Sequence, residues 1–334
     1  MTSPGLTPKL TVAMSVYNNA PYLAEAMDSI LRQSFTDFEF LIVNDGSTDG
    51  SGAVIDAYAL RDPRIRVIHQ DNRGLVVSLN RLFAEASTAW VARMDGDDVA
   101  LPERLAAQWD FVSANPGHGV VGTFSYLIGP DSQPLGKSGG HKPVTHDDLC
   151  AHLEDGPLFV HASVMIAREA MLGVDGYHPA YKHCEDHDLW LRLAEHTRLA
   201  NLPEELLAYR VYPEQVSHRH LVEQAANAAI SWQARLERAA GRPDPTAGLD
   251  EMPPLSELDA LFGRTGVAAY VRAKVVNRML FAPDALSGEG FGILLDYIED
   301  AGAEPRTWRA AARILRSGHP AKAAAVAHAL LKAG

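Results

Sequence analysis

The sequence has few cysteines, no long apolar run and no excess of positive charge. Its two cysteines, Cys150 and Cys184, are too few for a disulfide framework or a four-thiolate metal site, which favours reduced thiols. No stretch approaches the roughly 20 apolar residues that a membrane-spanning helix requires. Residues 1–9 lack the basic start and apolar core of a signal peptide. We therefore expect a cytoplasmic protein with no transmembrane span.

The charge balance argues against a nucleic-acid partner. The 30 Lys and Arg residues are outnumbered by 42 Asp and Glu residues, so the formal net charge is −12. No basic arm or stripe of the kind that phosphate backbones require stands out. A chain of 334 residues can form one large α/β domain and a smaller one. The pattern is almost entirely helical after about residue 221, so we predict domains at residues 1–220 and 221–334.

The first hundred residues alternate strand and helix patterns. Each strand is a nearly continuous apolar run, which is typical of parallel sheets that are buried on both faces. The predicted strands are residues 10–16, 38–43, 64–69 and 90–94, and the helices between them are residues 21–33, 49–60 and 75–86. We predict an α/β fold with a doubly wound, mostly parallel sheet, helices on both faces and a C-terminal helical domain.

The pattern loosens after residue 116. Shorter strands are predicted at residues 120–128, 163–167 and 206–211, with a helix at residues 187–196. Between them, residues 129–143 are rich in Gly, Ser and Pro and predict a mobile loop beside the site.

Polar residues follow the carboxyl ends of the first four strands. In such sheets ligands bind beyond those ends, so these four loops should converge on one crevice. The residues are Tyr17, Asn18, Asp45, Asn72, Arg73, Asp95, Asp97 and Asp98.

Three carboxylates lie within four residues in MDGDD at residues 94–98. Gly96 allows a tight turn, and Asp95 and Asp97 can point to one side. A few hard oxygen ligands suit Mg²⁺ or Mn²⁺ completed by substrate phosphate oxygens. The alternative is an acidic loop in which Asp97 or Asp98 caps the helix that begins near Pro102.

The second acidic turn is NDGSTD at residues 44–49. Asp45, one residue past a predicted buried strand, is placed to accept hydrogen bonds from a base or a ribose, because an ionised carboxylate only accepts. The alternative is a turn with a helix cap from Ser47 or Asp49.

In this order the motifs resemble those of glycosyltransferase family 2, an inverting family with the GT-A fold. TVAMSVYN at residues 11–18 resembles its first nucleotide-binding strand, and SILRQS at 29–34 the helix behind it. VNDGSTDG at 43–50 resembles its uracil-binding turn, and DGDD at 95–98 its DxD metal motif. CEDHDLWLRL at 184–193 resembles its acidic motif beneath the acceptor. The match runs to about residue 218 and departs from the pattern at Asn44 and at residues 211–213.

The resemblance implies a role for each matching residue. Donor-site residues would be Ser15, Tyr17, Asn18, Asp45, Arg73, Asp95 and Gly96; metal ligands would be Asp97, Asp95 and His218 or His220. For Arg73 a solvated loop arginine is the alternative to a diphosphate contact. Asp186 matches the catalytic base, with Glu185 positioning the acceptor and Asp188 structural. Capping of the helix start is the alternative for these acids.

Two other histidine-containing segments invite a functional interpretation. His183, Cys184 and His187 lack the second Cys/His pair that structural zinc needs, so we disfavour zinc. His161 precedes a predicted strand, and we interpret it as a packed, hydrogen-bonded core histidine.

The resemblance implies an enzyme that transfers a hexosyl or related sugar with inversion. The donor would be a UDP or dTDP sugar with a divalent metal, and the acceptor a hydroxyl of a glycan, glycolipid or small molecule, in polysaccharide or glycoconjugate synthesis. The helical tail lies outside the resemblance; binding the acceptor, forming a homodimer and peripheral membrane contact stay open for it. The alternative functions are a silent nucleotide-sugar-binding scaffold and a nucleotidyltransferase.

Overall fold

The computed structural model describes residues 8–137, 143–154, 156, 158–212 and 220–334. The chain divides into two compact units. The N-terminal unit comprises Met1–His178 and Glu185–Pro213, and the C-terminal unit comprises Pro179–Cys184 and Glu214–Gly334. Each unit has its own hydrophobic core.

The N-terminal unit is built on one mixed sheet, which has nine strands among the described residues. The strands are β1 (Leu10–Val16), β2 (Phe38–Asp45), β3 (Ile65–Gln70), β4 (Trp90–Asp95), β5 (Val99–Ala100), β6 (His118–Ile128), β7 (Pro134–Lys137), β8 (Met165–Ala167) and β9 (Arg198–Arg210). Their order is β3-β2-β1-β4-β8-β6-β9-β5, and β7 pairs with β6.

The first half of the sheet is parallel. Strand β1 pairs with β2 and β4, and β2 pairs with β3, all in parallel. The register places Ser15 beside Val43 on one side and beside Asp95 on the other. Because parallel strands end at the same edge, the loops after β1, β2 and β4 meet there. In the other half β8 is antiparallel to β4 and β6, whereas β6 and β9 are parallel.

Seven α-helices accompany this sheet in the described part of the N-terminal unit. They are α1 (Ala20–Leu31), α2 (Ser51–Ala59), α3 (Leu75–Glu85), α4 (Arg104–Ala114), α5 (His146–Ala151), α6 (Arg168–Gly173) and α7 (Glu185–Leu193). The core combines the apolar strand residues with the inward faces of α1 and α4, including Leu23, Met27 and Leu105. Burial of these side chains is the main stabilising contribution.

Two predicted boundaries in the second half were wrong. Strand β9 begins at Arg198, eight residues before the predicted start, and pairs with β6 along its length. Pro203 and two glutamates interrupt its apolar pattern, and they fall where the β6–β9 register shifts between Thr123 and Phe124. The predicted loop at residues 129–143 contains β7, an exposed hairpin strand; residues 138–142 lie outside the described residues.

The C-terminal unit is helical throughout its regular elements. Its helices are α8 (Leu221–Ala239), α9 (Leu258–Leu261), α10 (Val267–Met279), α11 (Pro283–Ser287), α12 (Phe291–Ala301), α13 (Pro305–Arg316) and α14 (Pro320–Ala333). Its core includes Ile230, Val271 and Ile298. Among the described helices of the whole chain, none combines the length and apolar character that crossing a bilayer requires.

Candidate active site

The loops after β1 and β2 are joined by hydrogen bonds. The side-chain oxygen of Asn18 accepts from the backbone N–H of Thr48 at 2.8 Å, and the backbone N–H of Asn18 donates to the hydroxyl of Ser47 at 3.1 Å. Asn18 has a φ of 54°, a left-handed conformation that asparagine tolerates better than most residues. Asn18, predicted to touch the donor, therefore also shapes the loop that carries Tyr17.

Asp45 is almost completely buried and its carboxylate is well supplied with donors. One oxygen accepts from the Gln70 side chain at 2.7 Å and from the backbone N–H of Arg73 at 2.9 Å. The other accepts from the backbone N–H of Gly74 at 2.9 Å. Asp45 thus holds the β3–α3 loop in place at the strand edge. Gly46 is required beside it, because a Cβ there would lie 2.6 Å from the backbone nitrogen of Asn72.

The other predicted donor-site residues lie around the same edge. Ser15 is partly exposed at the end of β1, Tyr17 is 51% exposed, and the Arg73 residue is exposed. Gly96 is buried, and a Cβ there would lie 3.2 Å from the Asn19 side chain, so a small residue fits best. These residues share one rim, where the exposed Tyr17 and Arg73 and the partly exposed Ser15 can contact a ligand.

The turn after β4 brings three carboxylates together. Oxygen atoms of Asp95, Asp97 and Asp98 lie within 4.8 Å of one another. Asp95 accepts a hydrogen bond from Arg93, an arginine that is only 3% exposed within the sheet. The positive charge of the Arg93 guanidinium offsets part of the negative charge of these carboxylates. Such a group of oxygens has the chemistry of a site for a hard divalent cation.

Asp97 and Asp98 are held from the end of β9. The Tyr212 hydroxyl donates to an Asp97 oxygen at 2.8 Å, and the backbone N–H of Arg210 donates to Asp98 Oδ1 at 2.9 Å. Asp98 Oδ2 is buried and has no hydrogen-bond partner in the part of the chain that the structure describes. Burial, followed by repulsion from Asp95, raises the pKa of Asp97 to about 6. Burial and repulsion from Asp97 raise the pKa of Asp98 well above its ordinary value.

The alternative interpretation of this turn as a helix cap is not supported. Helix α4 begins at Arg104, its N-cap is Glu103, and no side chain caps it. Asp97 and Asp98 instead face each other and β9. Helix capping therefore does not explain why the chain brings these mutually repelling carboxylates together.

A second group of acids opens helix α7. Glu185 is 7% exposed, and Asp186 accepts a hydrogen bond from the backbone N–H of His187 at 2.7 Å. Asp188 is 1% exposed and accepts two hydrogen bonds from Arg192, at 2.9 and 2.6 Å. The three acids thus differ in their surroundings, and Asp188 is occupied by an ion pair.

Electrostatics connects the two acidic groups. Burial, then repulsion from Asp186, raises the pKa of Glu185 to about 7, and Asp95 contributes to that increase. Burial also raises the pKa of Asp186, whereas the positive charge of Arg93 opposes it. Since the charges of Asp95 and Arg93 reach Glu185, the two groups share one electrostatic environment. A carboxylate with a raised pKa is a stronger base than an ordinary surface acid.

His161 forms part of the packing beneath α7. Its Nε2 lies 2.7 Å from the Tyr177 hydroxyl, and its ring meets the Trp190 ring edge-on at 5.9 Å. Desolvation, followed by the charge of Arg93, holds the pKa of His161 well below its ordinary value. His161 is therefore a neutral, packed histidine, as we interpreted it from the sequence.

Of the two histidines predicted as extra metal ligands, His220 is among the described residues. His218 lies outside the described residues. His220 belongs to the C-terminal unit, where its ring stacks on that of His183 at 3.7 Å and 13°, with Glu223 close to both. Ligand atoms of His183, His220 and Glu223 lie within 4.8 Å of one another, so this group has the composition and spacing to hold a metal ion of its own. His187, the third member of the disfavoured zinc set, belongs to the N-terminal unit.

Sequence reasoning missed the residues that hold the acids. Arg93 interrupts an apolar strand, and this buried cation two residues before Asp95 was a usable signal. Arg210, 0% exposed, donates to the Asp97 carbonyl at 2.7 Å and to the Glu25 carboxylate at 2.7 Å. These two partners are 113 and 185 residues away in sequence, so no local pattern reveals them.

Comparison with known proteins identifies the family. The model of Glycosyl transferase family 2 matches residues 11–164. A putative glycosyltransferase, EpsE of Bacillus subtilis, is 32% identical over 234 residues, which cover 68% of this chain and 82% of EpsE.

Two solved structures resemble the whole chain. Staphylococcus aureus TarS 1–349 in complex with UDP-GlcNAc has a TM-score of 0.58 at 16% identity, covering 95% of this chain and 89% of that one. The mannosyltransferase PcManGT of Pyrobaculum calidifontis, in complex with GDP-Man and Mn²⁺, has a TM-score of 0.52 at 18% identity, covering 98% and 88%. At these identities the likeness concerns the fold alone, and it confirms the predicted α/β class with C-terminal helices.

Proposed function

Because the chain belongs to glycosyltransferase family 2, we propose that it transfers a sugar from a nucleotide-diphosphate donor to an acceptor hydroxyl with inversion at the anomeric carbon. The supporting observation is the pair of acidic groups, at Asp95–Asp98 and at Glu185–Asp186, that share the field of Arg93. One group suits a cation and the other suits proton transfer. A silent scaffold would have no chemical need for both.

The turn after β4 fits a divalent cation, Mg²⁺ or Mn²⁺. Three carboxylates with oxygens within 4.8 Å, two of them with raised pKa values, repel one another when ionised. A dication would relieve that repulsion, and the Oδ2 of Asp98, which has no hydrogen-bond partner among the described residues, offers a further oxygen or a contact for metal-bound water. Asp97 and Asp95 would hold the ion, which would stabilise the departing diphosphate. PcManGT, of similar fold, is described with Mn²⁺.

The donor nucleoside would lie on the rim formed by the β1 and β2 loops. The exposed Tyr17 ring offers a stacking surface, and Ser15 offers a hydroxyl. Asp45 holds the β3–α3 loop in position, and its carboxylate can accept a further hydrogen bond from a base or a ribose. Arg73, exposed on the loop that Asp45 holds, would reach the diphosphate. We propose UDP or dTDP as the nucleotide, and the TarS structure with UDP-GlcNAc is a precedent in the fold.

Asp186 would be the general base. Inversion requires the acceptor oxygen to attack the anomeric carbon in line with the bond to the leaving phosphate oxygen. As the new C–O bond forms, the acceptor proton passes to the Asp186 carboxylate, and the electrons of the broken bond go to the diphosphate. Its raised pKa increases its basicity, and Glu185 beside it would position the acceptor.

A thermal-shift titration tests the donor and the metal. UDP, dTDP and GDP, each with and without Mn²⁺, should separate into one class that raises the melting temperature only with metal. A ligand at about 100 times its Kd stabilises by about 2.7 kcal/mol. Asp97→Asn should abolish the metal-dependent part, whereas the exposed Asp110→Asn on α4 should behave as wild type.

Three results would count against the proposal. No shift with any nucleotide, in folded protein, would favour the scaffold. A shift with GDP alone would show that the proposed nucleobase of the donor, uracil or thymine, is wrong. If the shift were equal with and without Mn²⁺ and unaffected by Asp97→Asn, the metal assignment would be wrong.

A further inference from the structure

The charge of the chain is distributed very unevenly. Residues 305–334 contain six Lys and Arg residues and no Asp or Glu. Since the whole chain has a formal net charge of −12, the rest of it carries −18. The negative net charge of the whole chain therefore hides a positively charged C-terminal stretch.

Helix α13 (Pro305–Arg316) presents much of this charge on one face. Its buried residues are Thr307, Ala310, Ala311 and Ile314, and the last three belong to the hydrophobic core of the C-terminal unit. The opposite face carries Trp308, Arg309, Ala312, Leu315 and Arg316, all exposed. Trp308 is 42% exposed and Leu315 55%, so the outward face is apolar as well as cationic. An ordinary solvated helix face has little reason to expose tryptophan and leucine beside arginine.

A neighbouring aromatic side chain extends this face. Phe281, which follows α10, is 80% exposed, and the Arg313 guanidinium lies over its ring at 4.5 Å. Phe281, Pro283, Arg313, Arg316 and Ser317 line a shallow depression of about 410 Å³. The aromatic ring and the arginines are therefore presented together.

We propose that this face docks on the surface of a bilayer that contains anionic lipids. The face, which we call the cationic face, consists of Phe281, Trp308, Arg309, Arg313, Leu315 and Arg316. Arginines would pair with lipid phosphates while Trp308, Leu315 and Phe281 enter the boundary between headgroups and acyl chains, with α13 lying in the plane of the interface. Tryptophan favours that depth because its ring is apolar and its N–H is polar.

The charge pattern selects this occupant over a second copy of the chain. Arg306 is neutralised by Glu304 and so adds little, but Arg309, Arg313 and Arg316 leave the face positively charged. Two such faces in a symmetric dimer would place like charges against each other. An anionic surface provides the complementary charge, and it accepts exposed aromatic side chains that a purely polar partner would not.

Vesicle co-sedimentation of the full chain tests the proposal. The protein should bind phosphatidylcholine vesicles that contain phosphatidylglycerol, bind pure phosphatidylcholine weakly, and dissociate at high salt. Each cation near such a surface strengthens binding by about fivefold, so the double variant Arg309→Glu, Arg316→Glu should lose at least ~25-fold. The double variant Phe281→Ser, Trp308→Ala should also bind more weakly, and because its remaining binding is electrostatic, high salt should dissociate it at least as readily as wild type.

The matched control carries the same charge change elsewhere. The double variant Arg61→Glu, Lys137→Glu alters two exposed residues of the N-terminal unit. Its affinity for the vesicles should fall by less than about fivefold, against at least ~25-fold for the α13 variant. Circular dichroism checks that every variant is folded. Equal binding to both vesicle types, or equal loss in the control and the α13 variant, would overturn the proposal. The proposal would also be overturned if light scattering showed a dimer that the α13 variant abolishes. The same holds if the protein bound oligonucleotides but not vesicles, and the α13 variant abolished that binding.

Discussion

The two acidic groups of the N-terminal unit are alike in composition and unlike in their partners. Each places three carboxylates within four residues, one in the turn after β4 and the other at the start of α7. In the turn every carboxylate is held by an arginine or a tyrosine residue. At the start of α7, Asp188 is the acid that forms an ion pair among the described residues. Hydrogen-bond and ion-pair partners, and not residue type, thus distinguish Asp188 from Asp186.

The comparison is sharpest between Asp186 and Asp188, two residues apart on one helix. Asp188 shares a buried ion pair with Arg192, which also donates to the backbone carbonyl of Gly176. Asp186 accepts from the backbone at its own helix start and has a raised pKa. We expect Asp186 to act on substrate and Asp188 to hold the helix.

The largest effect is expected for Asp186→Asn. The amide keeps the shape but cannot take a proton, so turnover should fall by about 10³-fold, equivalent to about 4 kcal/mol in the barrier. Donor affinity should stay close to that of wild type. Steady-state kinetics with the identified donor and acceptor, beside isothermal titration with donor alone, makes the measurement. Turnover within tenfold of wild type would show that another group is the base.

The next effect is on stability and concerns Asp188→Ala. Removing this carboxylate leaves the Arg192 guanidinium with uncompensated charge, which typically costs about 3 kcal/mol. The melting temperature should fall by on the order of 6–12 °C, with metal-dependent donor binding retained at low temperature. Calorimetry of this variant beside Asp110→Asn gives the comparison. A stable variant that has lost activity would reverse the roles assigned to Asp186 and Asp188.

The smallest effect is a pH dependence that arises from Glu185. Its pKa is about 7 in the folded chain against 4.5 for an ordinary glutamate, so between these values the folded state binds the extra proton. Its contribution to stability is present below pH 4.5 and is lost as pH rises through 7. Glu185→Gln should therefore stabilise at pH 8, by on the order of 2–3 kcal/mol, and change little at pH 4.5.

Unfolding of wild type and Glu185→Gln across this pH range checks the sign. Parallel curves with a constant offset would mean that Glu185 titrates normally in the folded chain. Its burial would then not distinguish it from an ordinary acid of the helix start.

The parallel half of the sheet was predictable because its signals are local. Strands β1, β2 and β4 are largely apolar runs, and each ends at a polar turn whose residues are adjacent in sequence. The turns at Asp45 and Asp95 could thus be assigned to one edge without a structure. Strand β9 was partly missed because its pairing with β6 tolerates Pro203 and two glutamates, which only the register shift explains.

We could predict from the sequence alone the family, the alternating first half, the helical tail and the acids that could perform chemistry, since these depend on short spacings and periodicity. The surroundings of each acid depend on the tertiary structure. Arg210 meets Asp98 across 112 residues, Tyr212 meets Asp97 across 115, and the charge of Arg93 reaches both acidic groups. Burial and charge depend on these distant neighbours, because a carboxylate changes its pKa only when water is replaced by specific partners.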